Sequence, residues 1–125
     1  MRSFLKFINS LILLITLFAL MSTASFAEAS YKIEINHLLN YVKNTECLYE
    51  RNGDRHNGVD AHKHISKKHE YFKDDIQSAE DFIRLSATQS TISGRKYHII
   101  CPDKKRVESR KWLLKELHRY RSITH

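Results

Sequence analysis

Two cysteines occur in the chain, and each stands at the end of a short β-prone run. Cys47 opens residues 47–51 (CLYER), which run into Asn52-Gly53, and Cys101 closes residues 96–101 (KYHIIC), stopped by Pro102. Aromatic and β-branched residues bounded by turn formers read as strands. If the cysteines are joined, they set the register of an antiparallel pair, with Tyr49 near Ile99 and Arg51 near Tyr97. The Asn52-Gly53 and Ser93-Gly94-Arg95 turns then emerge at one end of the ribbon. Such a bridge closes a loop of about 55 residues, for which chain entropy gives on the order of 4 kcal/mol. The alternatives are two unpaired thiols, or a bond to another chain.

A bridge needs an oxidising compartment, and the amino end has the layout of an export signal. Arg2 and Lys6 precede an apolar run from Leu11 to Met21, interrupted only by Thr16. Ser25-Phe26-Ala27 and Ala27-Glu28-Ala29 each offer a small-x-small cleavage site. The run is shorter than the ~20 residues of a membrane-spanning helix, and an uncleaved anchor is the alternative. No cysteine lies near the cleavage region, which argues against a lipid-modified protein. The expected organisation is a signal peptide over 1–27 and a single domain over 28–125, located in the periplasm.

A length of 125 residues fits one domain. The 28% charged content excludes a polytopic membrane protein, and the 10% aromatic content argues against general disorder. Without Arg2 and Lys6, residues 28–125 carry 19 basic and 14 acidic residues. Eight of the basic residues lie between Lys104 and Arg121, against two acidic ones, so the positive charge belongs to the carboxyl-terminal segment.

Periodicity places four helices in the domain. Ile35, Leu38, Leu39 and Val42 form an i, i+3, i+4, i+7 stripe. A polar loop over 52–58 leads to a second helix over about 59–74. Ser78 caps a third, with Asp81 three residues on and a stripe of Ala79, Phe82, Ile83, Ser86, Ala87 and Ser90. A last helix spans about 107–121, with Leu113, Leu117 and Tyr120 on one face. The predicted fold class is α+β: a small single domain of about four helices packed around a two-stranded antiparallel ribbon.

One helix face breaks its own pattern. Ala61, Ile65 and Phe72 share a face of the second helix, with Lys68 in its middle and His64 at its margin. A lysine there snorkels, meets a carboxylate, or faces a pocket, and Glu80 at the edge of the third helix is its expected partner. Eight histidines raise the question of a metal, but His62 and His64 at i, i+2 point apart on a helix, so no metal site is assigned. No phosphate-binding glycine loop, dinucleotide fingerprint or G-x-S-x-G elbow occurs, and no cofactor is expected.

These residues, taken in order, resemble one family. Glu50-Arg51-Asn52-Gly53, Ala61-x-x-His64-Ile65-x-x-Lys68, Ala79-Glu80-x-Phe82-Ile83 and Ser90-x-x-Ser93-Gly94-x-x-Tyr97 are similar to the YfeK-like family of small exported proteobacterial proteins, Domain of Unknown Function 5329. The resemblance runs from about residue 33 to 121. Lys96 stands where that family usually has Pro, and Ile65 where it often has Leu. The resemblance implies a periplasmic protein and no particular activity.

The expected function is a non-catalytic binding or interaction role in the cell envelope, with an unidentified periplasmic protein or envelope component as partner. Its site would comprise Arg51, Asn52, Gly53, His64, Lys68, Glu80, Ser90, Ser93, Gly94 and Tyr97. One alternative is a small hydrolase using Ser90 or Ser93 with Lys68 and His64. Another is peripheral binding of anionic lipid or polysaccharide through the basic last helix. An exported location makes nucleic acid a poor partner.

Overall fold

The structure, a computed structural model, describes residues 2–125, the side chains at 17–24 excepted. It divides into two compact units, residues 1–30 and 31–125. Helix α1 (Arg2–Lys43) supplies the described part of the first unit, where Phe4, Leu11 and Leu14 are exposed. Part of the expected signal's apolar run falls on 17–24, whose side chains lie outside the described residues. Among the described residues, no helix is long and apolar enough to cross a membrane.

In the second unit, residues 31–43 of α1 are followed by β1 (Leu48–Arg51), β2 (Asp54–His56), α2 (Gly58–Phe72) and a 3₁₀ turn (Lys73–Asp75). Then come α3 (Ala79–Ser86), β3 (His98–Ile100), β4 (Val107–Glu108) and α4 (Ser109–Thr124). The α+β class holds, but the sheet has four antiparallel strands in the order β2-β1-β3-β4, not two. Both extra strands are too short to show a period of two, and β2 is polar throughout. Asp54-Arg55-His56 lies in the stretch read as a loop. Val107-Glu108 lies in the stretch read as the start of the last helix.

Asn52 and Gly53 both have positive φ (51° and 84°), the left-handed pair that closes a two-residue hairpin between β1 and β2. β1 and β3 pair as Leu48 with Ile100, Tyr49 with Ile99 and Glu50 with His98, and Cys47 is bonded to Cys101. The register drawn from the two cysteines is therefore the one observed.

The core lies between the sheet and the helices. Ile35, Leu38 and Val42 of α1 meet Tyr49, Ile65, Phe82, Ile83, Ile99, Leu113 and Leu117, all buried. Gly58 starts α2 so close to the end of α1 that a Cβ there would collide with the carbonyls of Val42 and Lys43. Asn57 Oδ1 caps α2 by accepting from the Asp60 amide at 2.9 Å. Ser78 Oγ caps α3 from the Asp81 amide at 3.0 Å, as its position suggested. α3 ends at Ser86, four residues short of Ser90, because the chain then turns back on itself. Tyr97 N donates to Thr88 O, Ser90 N to Arg95 O, and Gly94 N to Ser90 O.

Candidate functional site

The fold brings three separate stretches of chain to the turn end of the ribbon. β1 ends there with Arg51 and Asn52, and α2 presents His64 and Lys68 one turn apart. The turned segment after α3 supplies Ser90, Thr91, Ile92, Ser93 and Tyr97. Together these nine residues line a cleft of about 320 Å³. Seven of the ten residues selected from the sequence are among them: Arg51, Asn52, His64, Lys68, Ser90, Ser93 and Tyr97. Gly53 and Gly94 sit on the two adjoining turns, each with a left-handed backbone, and do not line the cleft.

Glu80 is elsewhere, and its expected pairing with Lys68 is overturned. Arg121 of α4 holds the Glu80 carboxylate at 2.5 and 3.2 Å and the Glu34 carboxylate at 2.7 and 2.9 Å. A planar guanidinium with five N–H groups can engage both carboxylates at once, which an ammonium cannot do as well. Lys68 instead donates to the carbonyl of Gln89 at 2.6 Å and lies 5.1 Å from the centre of the Tyr97 ring. The carbonyl and the ring face satisfy the half-buried ammonium without a carboxylate.

The polar groups of the cleft form two short chains. In the first, Lys68 Nζ donates to the Tyr97 hydroxyl over a longer 3.5 Å, and that hydroxyl lies 3.0 Å from His64 Nε2. Burial together with the charges of Arg51 and Lys68 pushes His64 down to about 4, so the ring is neutral near pH 7 and Nε2 accepts from the phenol. Burial raises the Tyr97 phenol, which keeps its proton. Burial, then the Arg51 guanidinium, lowers the Lys68 ammonium. In the second chain, Ser93 Oγ donates to Asn52 Oδ1 at 2.7 Å, while the Ser93 amide donates to Ser90 Oγ at 3.2 Å. Ser93 Oγ also accepts from the Arg95 amide at 3.3 Å. Both serines thus brace the turn, and neither is bonded to His64 or Lys68.

Sequence reasoning missed Thr91, Ile92 and the Gln89 carbonyl, because it extended the third helix through Ser90. Ser93-Gly94, the turn signal that bounded this stretch in the sequence, comes seven residues after the helix has stopped at Ser86. Ile92 at the cleft mouth is 100% exposed, an apolar side chain on a polar turn. Among the described residues, no group of three or more His, Cys, Asp or Glu side chains is placed to hold a metal.

A family model described as a family of unknown function (DUF5329) matches residues 29–121. The chain belongs to DUF5329. The match covers all four strands, α2 and α3 between them, α4 as far as Arg121, and every residue of the cleft. No curated protein and no solved structure matches this DUF5329 chain.

Proposed function

We propose that this DUF5329 protein is an exported binding module of the cell envelope, and that its cleft receives an anionic group of the ligand. One observation carries the reading: Arg51 and Lys68 line the same cleft, and none of its nine lining residues is Asp or Glu. The lowered proton affinities of His64 and Lys68 both trace in part to this positive charge. A bound carboxylate or phosphate would relieve that repulsion and take charge-assisted hydrogen bonds from both cations. At about 320 Å³ the cleft is at the small end of ligand sites, suited to one charged group and not to a large molecule.

Export is supported by the Arg2/Lys6 region, the apolar run and the small-x-small sites, and by a disulfide of the kind that persists in oxidising compartments. A serine hydrolase draws less support, since the serine hydroxyls are bonded within the turn and to Asn52.

The test is a titration of the exported protein with sodium phosphate and with sodium acetate at constant ionic strength, followed by amide chemical shifts. Saturable shifts confined to residues 51–52, 64–68 and 89–97 are expected, at least about ten-fold weaker in Lys68→Met and Arg51→Met, as for loss of one charge-assisted contact. Equal responses in wild type and both variants would overturn the reading.

A further inference from the structure

The opposite end of the ribbon carries a second, unrelated surface. Eight cations between Lys104 and Arg121 read as one basic block in the sequence, but the fold sorts them. Arg106 is held by Glu50, Arg119 by Glu116, and Arg121 by Glu34 and Glu80. Arg110 is exposed and lies outside the groove. Lys104, Lys105, Lys111 and Lys115 have no ion pair among the described residues, and all four line one groove of about 760 Å³. Its floor is apolar and aromatic: Tyr41 and Trp112 lie with ring centres 4.5 Å apart, beside the Cys101 half-cystine and the 40% exposed Val107. Glu116, the one carboxylate in the lining, is buried and already engaged by Arg119 and by His37 at 2.7 Å. The groove therefore faces outward as an apolar trough rimmed by four uncompensated lysines.

From this arrangement we infer that the groove is a docking site for anionic membrane lipid, with headgroup phosphates on the lysines and the first acyl methylenes on Trp112 and Tyr41. A small oxyanion would use the rim and leave the floor wet, and an uncharged amphiphile would use the floor alone. Anionic lipid uses both. Indole rings favour the headgroup level of a bilayer, and lysine stems reach past apolar surface to a charged layer. A neighbouring hollow shares Cys101, Lys104 and Lys105 and adds Leu48, Ile100 and Pro102, which extends the apolar patch over the disulfide end. Glu46 and Asp103 border that hollow and limit the positive field there. This site shares no residue with the anion cleft, so either proposal can fail without the other.

Trp112 is the only tryptophan in the chain, so its fluorescence reports on this groove alone. The protein recovered from exporting cells is titrated with vesicles of phosphatidylglycerol and phosphatidylcholine, and with pure phosphatidylcholine. The expected result is a saturable blue shift with the anionic vesicles, abolished in about 0.5 M salt. Each lysine near an anionic surface contributes about five-fold in partitioning. Lys111→Gln/Lys115→Gln should therefore bind about 25-fold more weakly, while Lys63→Gln/Lys67→Gln, which removes the same charge elsewhere, should bind nearly as wild type. Four results would each overturn the proposal: equal shifts with pure phosphatidylcholine, the same shift with soluble glycerol phosphate, equal weakening in the two double variants, or sedimentation with vesicles while Trp112 emission stays fixed. The substituted lysines are surface residues, and unchanged thermal melting confirms that both double variants are folded.

Discussion

Ser93 Oγ donates to Asn52 Oδ1 across 2.7 Å, joining two turns that lie 41 residues apart in the chain. The bond is the direct consequence of the β1–β3 register, which starts at the Cys47–Cys101 bridge and delivers both turns to one end of the ribbon. Asn52 also holds a left-handed backbone, φ 51°. Asn52→Ala should lose the bond and strain the turn, lowering stability by about 1–2 kcal/mol. Asn52→Gly keeps the backbone and loses only the bond, so its cost should stay below about 1 kcal/mol. Urea denaturation of the two variants separates these contributions, and both should weaken phosphate binding in the cleft.

The disulfide anchors the other end. It links residues separated by 54 positions, and removing it by Cys47→Ala/Cys101→Ala should lower stability by roughly 3–4 kcal/mol in the chain-entropy account. Intact mass of protein purified without reductant should rise by two hydrogens on reduction. A free thiol on either cysteine in unreduced protein would contradict the bridge.

Arg121 ties three helices together by gripping Glu34 of α1 and Glu80 of α3 from α4. Glu34 is buried, so Arg121→Met would leave its carboxylate inside without a partner. Arg121 itself is 35% exposed, which moderates the loss to about 1–3 kcal/mol. The Arg121 guanidinium holds the Glu80 carboxyl below its ordinary range. A depressed carboxylate stabilises the fold above its unfolded pKa, and that contribution fades as pH falls through the folded one. Melting temperature followed from pH 7 to pH 3 should fall in wild type over the acid side of this window, and less steeply in Arg121→Met.

Much of the cleft was legible because its causes are local or covalent. Two cysteines at strand ends fixed a register, and a register of antiparallel strands decides which turns meet. Lys68 among Ala61, Ile65 and Phe72 marked the helix face that closes the cleft. Its partner was not legible, because the competition for Glu80 is won by Arg121, a residue 41 positions away on a helix whose placement no local pattern gives. The two short strands were hidden for a different reason. Three polar residues in β2 and two residues in β4 are held by ladder hydrogen bonds to neighbours, not by any hydrophobic alternation of their own. The sorting of the carboxyl-terminal cations into structural arginines and unpaired groove lysines likewise depends on which carboxylates the fold carries to them.

His64 links the cleft to pH. Its folded value is about 4 against an ordinary 6.5, lowered by burial first, then by Arg51, Lys68, His56 and Lys67. Tyr97, the other titratable group against it, stays protonated and donates to Nε2. The unfolded chain therefore binds a proton near pH 6.5 that the folded chain refuses until about pH 4. Stability should rise with pH through that interval and be free of this penalty above it. Replacing the ring by His64→Gln should remove this component of acid sensitivity while leaving the Glu80 component in place. Anion binding carries the opposite sign. A phosphate or carboxylate beside Arg51 and Lys68 compensates the charges that depress His64, so occupancy should raise its pKa. Imidazole chemical shifts of His64, titrated with and without saturating phosphate, measure both effects in one experiment. A His64 midpoint near 6.5 in the free protein, or one that does not move on adding phosphate, would sever the link between this ring and the cleft's charge.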